Sequence, residues 1–458
     1  MKRTTHWALS LVFLGSLAGC KVYRSLPLDA KARSAALAPP DLARVTIQAR
    51  ELKHPILKPQ AIDLTDGLSP EEAAILAVLS NPDLKAIRDQ RALAAAQLLD
   101  AGLLPDPVLS LSQDVPVGGD DPGTSTAHSA QISLDLTSFL TRGLRRRAAK
   151  AEQQSVDLDV AWQEWQVAEA AKLSVYRLSA LNPQVDWAEA MVMALEENLQ
   201  AVEKSAETGG ASLNDTASAR AALDAGRRNA LSLRQARDRE RQTLNALLGL
   251  SPQADLALEH PRVQRSWAAI PPAQELARIL DQRLDLVALE KGYESEDARL
   301  RLAVWSQFPS IGISFSRSRD TSNVMTRGTG VAFSLPLFNR GQGLVAVEQV
   351  TRQQLHDQYL SRLHHARADL AQVYADIDSV RGMIAAAERA LPSIEAQAKS
   401  SEASFEMGNL DLLTRNQARM ALLSQKTTLA SLQSNLDELG VALEIASGHP
   451  LQNTETAR

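Results

Sequence analysis

The chain has 458 residues, a formal charge of -5 and a composition that is 45% hydrophobic but only 4% aromatic. Such mild acidity gives no electrostatic footprint for nucleic acid, and a single cysteine excludes an intrachain disulfide framework. The length alone would suggest about two or three domains.

Residues 1–19 read as a secretory signal: Lys2 and Arg3 open it, and Trp7 to Leu14 is an apolar core too short to span a bilayer as a helix. Leu17-Ala18-Gly19-Cys20 resembles a bacterial lipobox, which makes Cys20 the expected acylated (palmitate-bearing) first residue of the mature protein. Removing residues 1–19 takes away Lys2 and Arg3 only, so the formal charge moves from -5 to -7. No later stretch is apolar enough for a transmembrane helix, so any membrane crossing must be made by strands. Residues 20–66 are punctuated by proline and hold no sustained period, which predicts an extended lead-in from a lipid anchor.

A first unit is expected over 67–250. Ser69-Pro70-Glu71-Glu72 is a helix start, with a capping serine, proline at the first position and acids in the first turn. The helical pattern breaks at Asn81-Pro82 and resumes to about Leu104. Strands are expected at about 107–116 and 129–138. In the first, Leu109 and Leu111 oppose Ser110, Ser112 and Asp114; in the second, Ile132, Leu134 and Leu136 oppose Gln131, Ser133 and Asp135. A polar loop, Gly118 to Ser125, lies between them, and helices over 144–208 and 212–248 follow.

After an expected linker at 251–271, a second unit over 272–448 repeats the order. Strands are expected at about 309–318 and 328–337: Ile311, Ile313 and Phe315 oppose Gly312, Ser314 and Ser316, and Val331, Phe333 and Leu335 oppose Ala332 and Ser334. The loop between them is Arg319 to Gly328. From Arg340 to Gly408 the spacing becomes 3-4-3-4: Leu363, Ala366, Leu370, Val373, Ile377, Val380, Ile384, Ala387, Leu391, Ile394, Ala398, Ser401, Phe405. That is the 3.5-residue repeat of a supercoiled helix, which at 1.5 Å per residue extends roughly 100 Å. The seam resumes as Leu422, Leu429, Leu432, Leu436, Leu439 and Leu443, and 449–458 is a tail. Pro183 and Pro392 are expected to kink their helices or mark joints.

The two units are copies. AILAVLSNPDLKAIRDQ around Asp83-Leu84 returns as LARILDQRLDLVALEKG around Asp285-Leu286. From that anchor Pro107 meets Pro309, Arg142-Gly143 meets Arg340-Gly341, Gly209 meets Gly408, and Gly249 meets Gly448. A period of about 200 residues is too long for a solenoid unit and reads as an internal duplication. The fold class expected is mostly α with a small transmembrane β part. Four strands of membrane length would expose unpaired backbone groups to hydrocarbon at both edges, so other copies must close them into a barrel. Eight strands give an interior that side chains just fill, whereas twelve leave room for an aqueous duct.

Catalytic motifs are missing: there is no GxxxxGK[ST] loop and no HExxH pair. The eight histidines are scattered, and the adjacent His364 and His365 point to different helix faces, which suits a solvated surface better than a metal. Asp215 and Asp411, near the expected helix turns, are either acidic rings in an oligomer or simple solvated loop carboxylates. Arg142, Arg145, Arg146 and Arg147 crowd a helix start, where cations oppose the macrodipole; they mark either a lipid-phosphate contact or a solvated basic turn.

Taken together, the duplication, the lipobox, Asn81-Pro82-Asp83-Leu84, Leu335-Pro336-Leu337-Phe338-Asn339-Arg340-Gly341, and Leu391-Pro392 ahead of Met407-Gly408-Asn409-Leu410-Asp411-Leu412-Leu413 resemble the TolC-type outer-membrane efflux channel family over about 67–448. That resemblance implies a lipid-anchored homotrimer in the outer membrane of a Gram-negative bacterium. Its 12-stranded barrel would continue into a long periplasmic α-helical barrel. The partners implied are a periplasmic adaptor, an inner-membrane pump and outer-membrane lipid; the charge and the missing motifs add the expectation of no nucleic acid, cofactor or metal. Gly209, Gly210, Ala211, Ser212 and Leu213, with Met407, Gly408, Asn409, Leu410 and Asp411, match the position of the family's adaptor contacts. The first of these departs from the family form by a double glycine and by lacking the aromatic that Phe405 supplies in the second. Helix C-caps would explain the same glycines. The competing reading is a periplasmic adaptor lipoprotein, which would have one helical hairpin rather than two. An anchored enzyme would need a catalytic constellation that the sequence lacks, and a purely structural coiled-coil lipoprotein leaves the four amphipathic strands unexplained.

Overall fold

The structure, a computed structural model, describes residues 22–118, 123–259, 272 and 280–451. The signal, Cys20, residues 260–271 of the expected linker and residues 452–458 of the tail lie outside the described residues. The chain divides into two compact units, 1–40 and 41–458. Of the first, the described part holds one short helix, α1 (Ala30–Ala36), whose N-terminus is capped by the Asp29 carboxylate.

In the second unit the lead-in is not extended throughout. Asp41 caps α2 (Leu42–Arg50), and Val45 and Ala49 of that helix are buried. They join Ile62 and Leu68 in a core with Leu76, Val175, Leu178, Leu244 and Leu248. A single parallel bridge, Leu68 to Leu258, fastens the segment. These few apolar residues carry too short a pattern to announce a helix, yet each finds a place against the long helices.

Helix α3 (Pro70–Ser80) begins with the expected capping box, Ser69 and Glu72 bonding each other's backbone N–H. Asn81 then caps α4 (Pro82–Gly102). Strands β1 (Val108–Asp114) and β2 (Ala127–Asp135) lead into α5 (Thr137–Glu207), a helix of 71 residues, and α6 (Leu213–Leu247) returns along it. The second copy, after a 3₁₀ turn at Leu280–Gln282, follows as α7 (Leu284–Trp305), β3 (Ile311–Arg319), β4 (Met325–Phe333), α8 (Gln342–Glu406, 65 residues) and α9 (Leu412–Ser447). At 1.5 Å per residue α5 and α8 each exceed roughly 95 Å. Both run unbroken through their prolines, so neither Pro183 nor Pro392 ends a helix. Pro392 cannot donate to a carbonyl one turn back; beside it, the Gln425 amide from α9 donates to the Ala387 carbonyl at 2.9 Å.

Helix α5 is the hub, in contact with α3, α4, α6, α7 and α9, while α8 lies against α7 and α9. Every residue of the 3-4-3-4 seam in α8 is buried or half-buried. Its middle joins Leu280, Leu443 and Ala446 in a second apolar cluster. The four strands form one antiparallel sheet in chain order, β1-β2-β3-β4, with β1 and β4 as unpaired edges. No described helix is long and apolar enough to cross a membrane.

Candidate functional site

The sheet's register sorts its side chains by chemistry. Pairings such as Leu109↔Ile132, Ile132↔Phe315 and Phe315↔Thr329 place Leu109, Leu111, Ile132, Leu134, Ile311, Ile313, Phe315, Val331 and Phe333 on one face. The other face carries Ser110, Ser112, Ser129, Gln131, Ser133, Ser314, Ser316, Ser318, Gly328 and Gly330. Every strand end that meets a helix lies at one end of the sheet, and both hairpin loops lie at the other. The loops are tied together, Ser125 N–H donating to the Thr321 carbonyl at 2.8 Å. Such a sheet suits lipid on one side and water on the other.

The helical hairpins close in two turns of the same design. At the first, Gly209 has φ +80° and the Gly210 N–H returns to the Ser205 carbonyl at 2.8 Å; at the second, Gly408 has φ +74° and the Asn409 N–H returns to the Ser404 carbonyl at 2.9 Å. These are glycine-terminated helix caps, as the sequence allowed. A Cβ at Gly209 or Gly408 would meet nothing within 4 Å, so both turns leave open space. Exposed apolar side chains flank them: Leu213 is 88% and Met407 68% exposed.

Asp215 and Asp411 are not free loop acids. Asp215 accepts from the Ser212 hydroxyl at 2.7 Å and its N–H at 2.8 Å. Asp411 accepts from the Thr414 N–H at 2.9 Å and its hydroxyl at 2.7 Å. The Ser212 hydroxyl and N–H hold Asp215 below the usual carboxylate range, and the Thr414 N–H and hydroxyl do the same for Asp411. Both stay ionised and exposed, and both serve helix α6 or α9 as caps.

Behind the second turn a polar lock joins the hairpins, which the sequence reading missed. Arg415 bonds Glu197 at 2.6 Å and lies 4.5 Å from the Phe405 ring centroid. Asn416, fully buried, donates to Asn198 at 2.7 Å and to the Ala194 carbonyl at 3.1 Å. Its place four residues after Leu412 and seven before Leu423 is a second helical stripe on α9, the signal that could have found it.

The four arginines of the basic turn divide. They sit in the second and third turns of α5, because that helix begins at Thr137 rather than near 144. Arg142 donates to the Gly102 carbonyl at 2.7 Å, closing the end of α4, and Arg145 donates to the Ser138 carbonyl at 2.8 Å. Arg146 and Arg147 are exposed. His364 and His365 are also exposed, and no group of three or more metal-binding side chains occurs among the described residues.

A family model described as outer membrane efflux protein matches residues 75–250 and 276–449, once in each repeat. The chain belongs to the outer membrane efflux protein family. The family's adaptor rival is thereby set aside, since both halves of the chain are accounted for. Among relatives, the chain is 24% identical to the probable outer membrane lipoprotein SilC of Salmonella typhimurium over 172 residues, 35% of this chain and 37% of that protein. It is 24% identical to outer membrane protein TolC of Salmonella enteritidis over 381 residues, 77% of this chain and 76% of that protein. In fold, this outer membrane efflux protein resembles the crystal structure of CusC with a TM-score of 0.66 at 19% identity, covering 87% of this chain and 98% of CusC.

Proposed function

We propose that this chain is the outer-membrane channel subunit of a tripartite export system, a passive duct for substrates handed over by an inner-membrane pump through a periplasmic adaptor. The observation that carries the reading is the four-stranded sheet with chemically segregated faces and two unpaired edges. Open edges in lipid cost several kcal/mol for each unsatisfied backbone group, so copies must close the sheet. Three copies make twelve strands, enough for a wet lumen lined by serine and glycine. The long helices α5, α6, α8 and α9 then extend the duct into the periplasm, and the chain acts as a conduit rather than as an enzyme.

The turns at 209–213 and 407–411 are the adaptor contacts in this reading, supported by their open backbone and by the exposed Leu213 and Met407. Cys20 anchors the mature chain in lipid, a reading that the description of SilC as a probable lipoprotein supports. Arg146 and Arg147 meet lipid phosphates where the strands leave the membrane on the helix side. Replacing Arg142, Arg145, Arg146 and Arg147 with Gln should lower membrane insertion; unchanged insertion and oligomer yield would dispose of that contact.

The central test is electron microscopy of the detergent-extracted mature protein with its subunits counted, followed by conductance in planar bilayers. A threefold hollow tube that conducts ions supports the channel. A monomer, or a ring lacking a membrane barrel, overturns it.

A further inference from the structure

We infer that the membrane-facing side of the sheet ends in a docking surface for phosphorylated lipid of the leaflet remote from the helices, formed by Arg317, Arg319 and Arg327. The inference rests on the proposed placement of this sheet in the outer membrane. Along β3 the apolar face runs Ile311, Ile313, Phe315 and then turns cationic at Arg317 and Arg319. On the next strand Arg327, also a cation, stands directly opposite Arg317, and the imidazole of His128 lies opposite Arg319. The other face stays uncharged at the same depth, with Ser316, Ser318, Thr326 and Gly328.

Like charges directly opposite each other destabilise a ladder, so the pair Arg317↔Arg327 calls for an external anion. Among the described residues no carboxylate forms an ion pair with any of the three arginines, and Arg319 Nε is buried without a hydrogen-bond partner. The acid of the adjoining turn, Asp320, is engaged by the Ser322 and Val324 N–H groups at 2.9 Å each. A shallow groove of about 590 Å³ crosses this end of the sheet, lined by Leu111, Gln113, His128, Ala130, Arg317 and Arg319.

Depth fixes the ligand class. Arg319 closes β3 at the hairpin, and Arg317 lies two residues nearer the middle, about 7 Å at strand rise. That is headgroup depth, immediately above the apolar band. Guanidinium groups bind phosphate bidentately and keep their charge, and adjacent strands hold Arg317 and Arg327 about 5 Å apart at the backbone. Two clustered guanidinium groups suit a lipid with closely spaced phosphates, its acyl chains lying over Ile132 and Phe315.

The test is reconstitution of the intact mature protein into phosphatidylcholine nanodiscs doped with bis-phosphorylated lipid A, with retained lipid counted by native mass spectrometry. The R317Q/R319Q/R327Q variant should retain roughly tenfold less lipid A than the parent, and the single variant R327Q should fall between them. Millimolar inorganic phosphate should not displace the lipid. Equal retention by parent and variants overturns the inference, and so does displacement by inorganic phosphate, which would mark a free-anion site. Should the triple variant fail to assemble, R327Q and the parent decide the same question. A parent that does not insert its strands at all defeats the outer-membrane reading and this inference with it; a parent that inserts but retains no lipid A defeats this inference alone.

Discussion

Asn81 closes two helix ends with one side chain. Its Oδ1 accepts from the Asp83 and Leu84 N–H groups at 2.9 and 3.1 Å, starting α4, while its Nδ2 donates to the Leu247 carbonyl at 3.0 Å, ending α6. In the second copy the equivalent residue is Arg283, whose Nη1 donates to the Ala446 carbonyl at 2.6 Å at the end of α9. The duplication has kept the contact and changed the chemistry, so Arg283 also needs a counter-charge, which Asp285 supplies at 2.9 Å. Asn81→Ala removes a cap and orphans a carbonyl, and should cost about 2 kcal/mol, read as a lowered melting temperature by circular dichroism. Glu296 makes a pH prediction. Burial, and then the neighbouring Glu348, push its carboxyl up to about 7 from an ordinary value of 4.5. A raised folded value means that its stabilising contribution is present below the ordinary value and lost as pH rises through about 7. Glu296→Gln should therefore match the parent below about pH 4.5 and gain on it in stability as pH rises to about 7; parallel melting curves across that range would contradict this.

Among the elements, α8 was legible because it is packed along one narrow stripe, so its whole 3-4-3-4 seam survives in the sequence. Helix α5 touches five other helices, and burial on several sides blurs its period. What orders its exposed flank is a ladder of ion pairs with α6: Glu189–Arg234, Glu196–Arg227 and Glu203–Arg220, each at 2.7 or 2.8 Å and each step seven residues. The strands were legible as alternation, but their ends were not. Arg319 and Arg327 fall inside the expected loop because charge ordinarily marks solvent, whereas the register carries both onto the face that holds Ile313, Phe315 and Val331. The ladder and the polar lock should respond differently to substitution. Exposed pairs contribute about 0.2–1 kcal/mol each, so R220Q/R227Q/R234Q should shift melting only slightly. Asn416→Ala leaves Asn198 and the Ala194 carbonyl buried without their donor, at about 1–3 kcal/mol, and should loosen the two hairpin turns, seen as faster amide exchange in 194–198 and 405–416.

For the whole molecule, helices and sheet pose different problems of solvent. The helical part pairs buried charges within one chain, as at the buried Lys172, which Glu169 and Glu444 hold at 3.0 and 2.5 Å between α5 and α9. The attraction of both carboxylates outweighs burial and keeps that ammonium charged, while burial raises the Glu169 carboxyl, since one cation serves two acids. The sheet has no such internal solution: its apolar face, with Phe315, Val331 and Phe333 more than half exposed, needs hydrocarbon, and its edges need other copies. A pair of substitutions at nearly one depth separates these demands. Val331 and Ser314 are near neighbours across β3 and β4 but point to opposite faces, Val331 pairing with Ile313 and Ser314 with Gly330. Val331→Lys places a cation in the apolar band at about 2–4 kcal/mol per chain and should abolish insertion and oligomer yield. Ser314→Lys points into the lumen; insertion should survive, and single-channel recordings should show lower cation conductance. Equal tolerance of both lysines in the membrane fraction would mean that the two faces do not meet lipid and water as their chemistry demands.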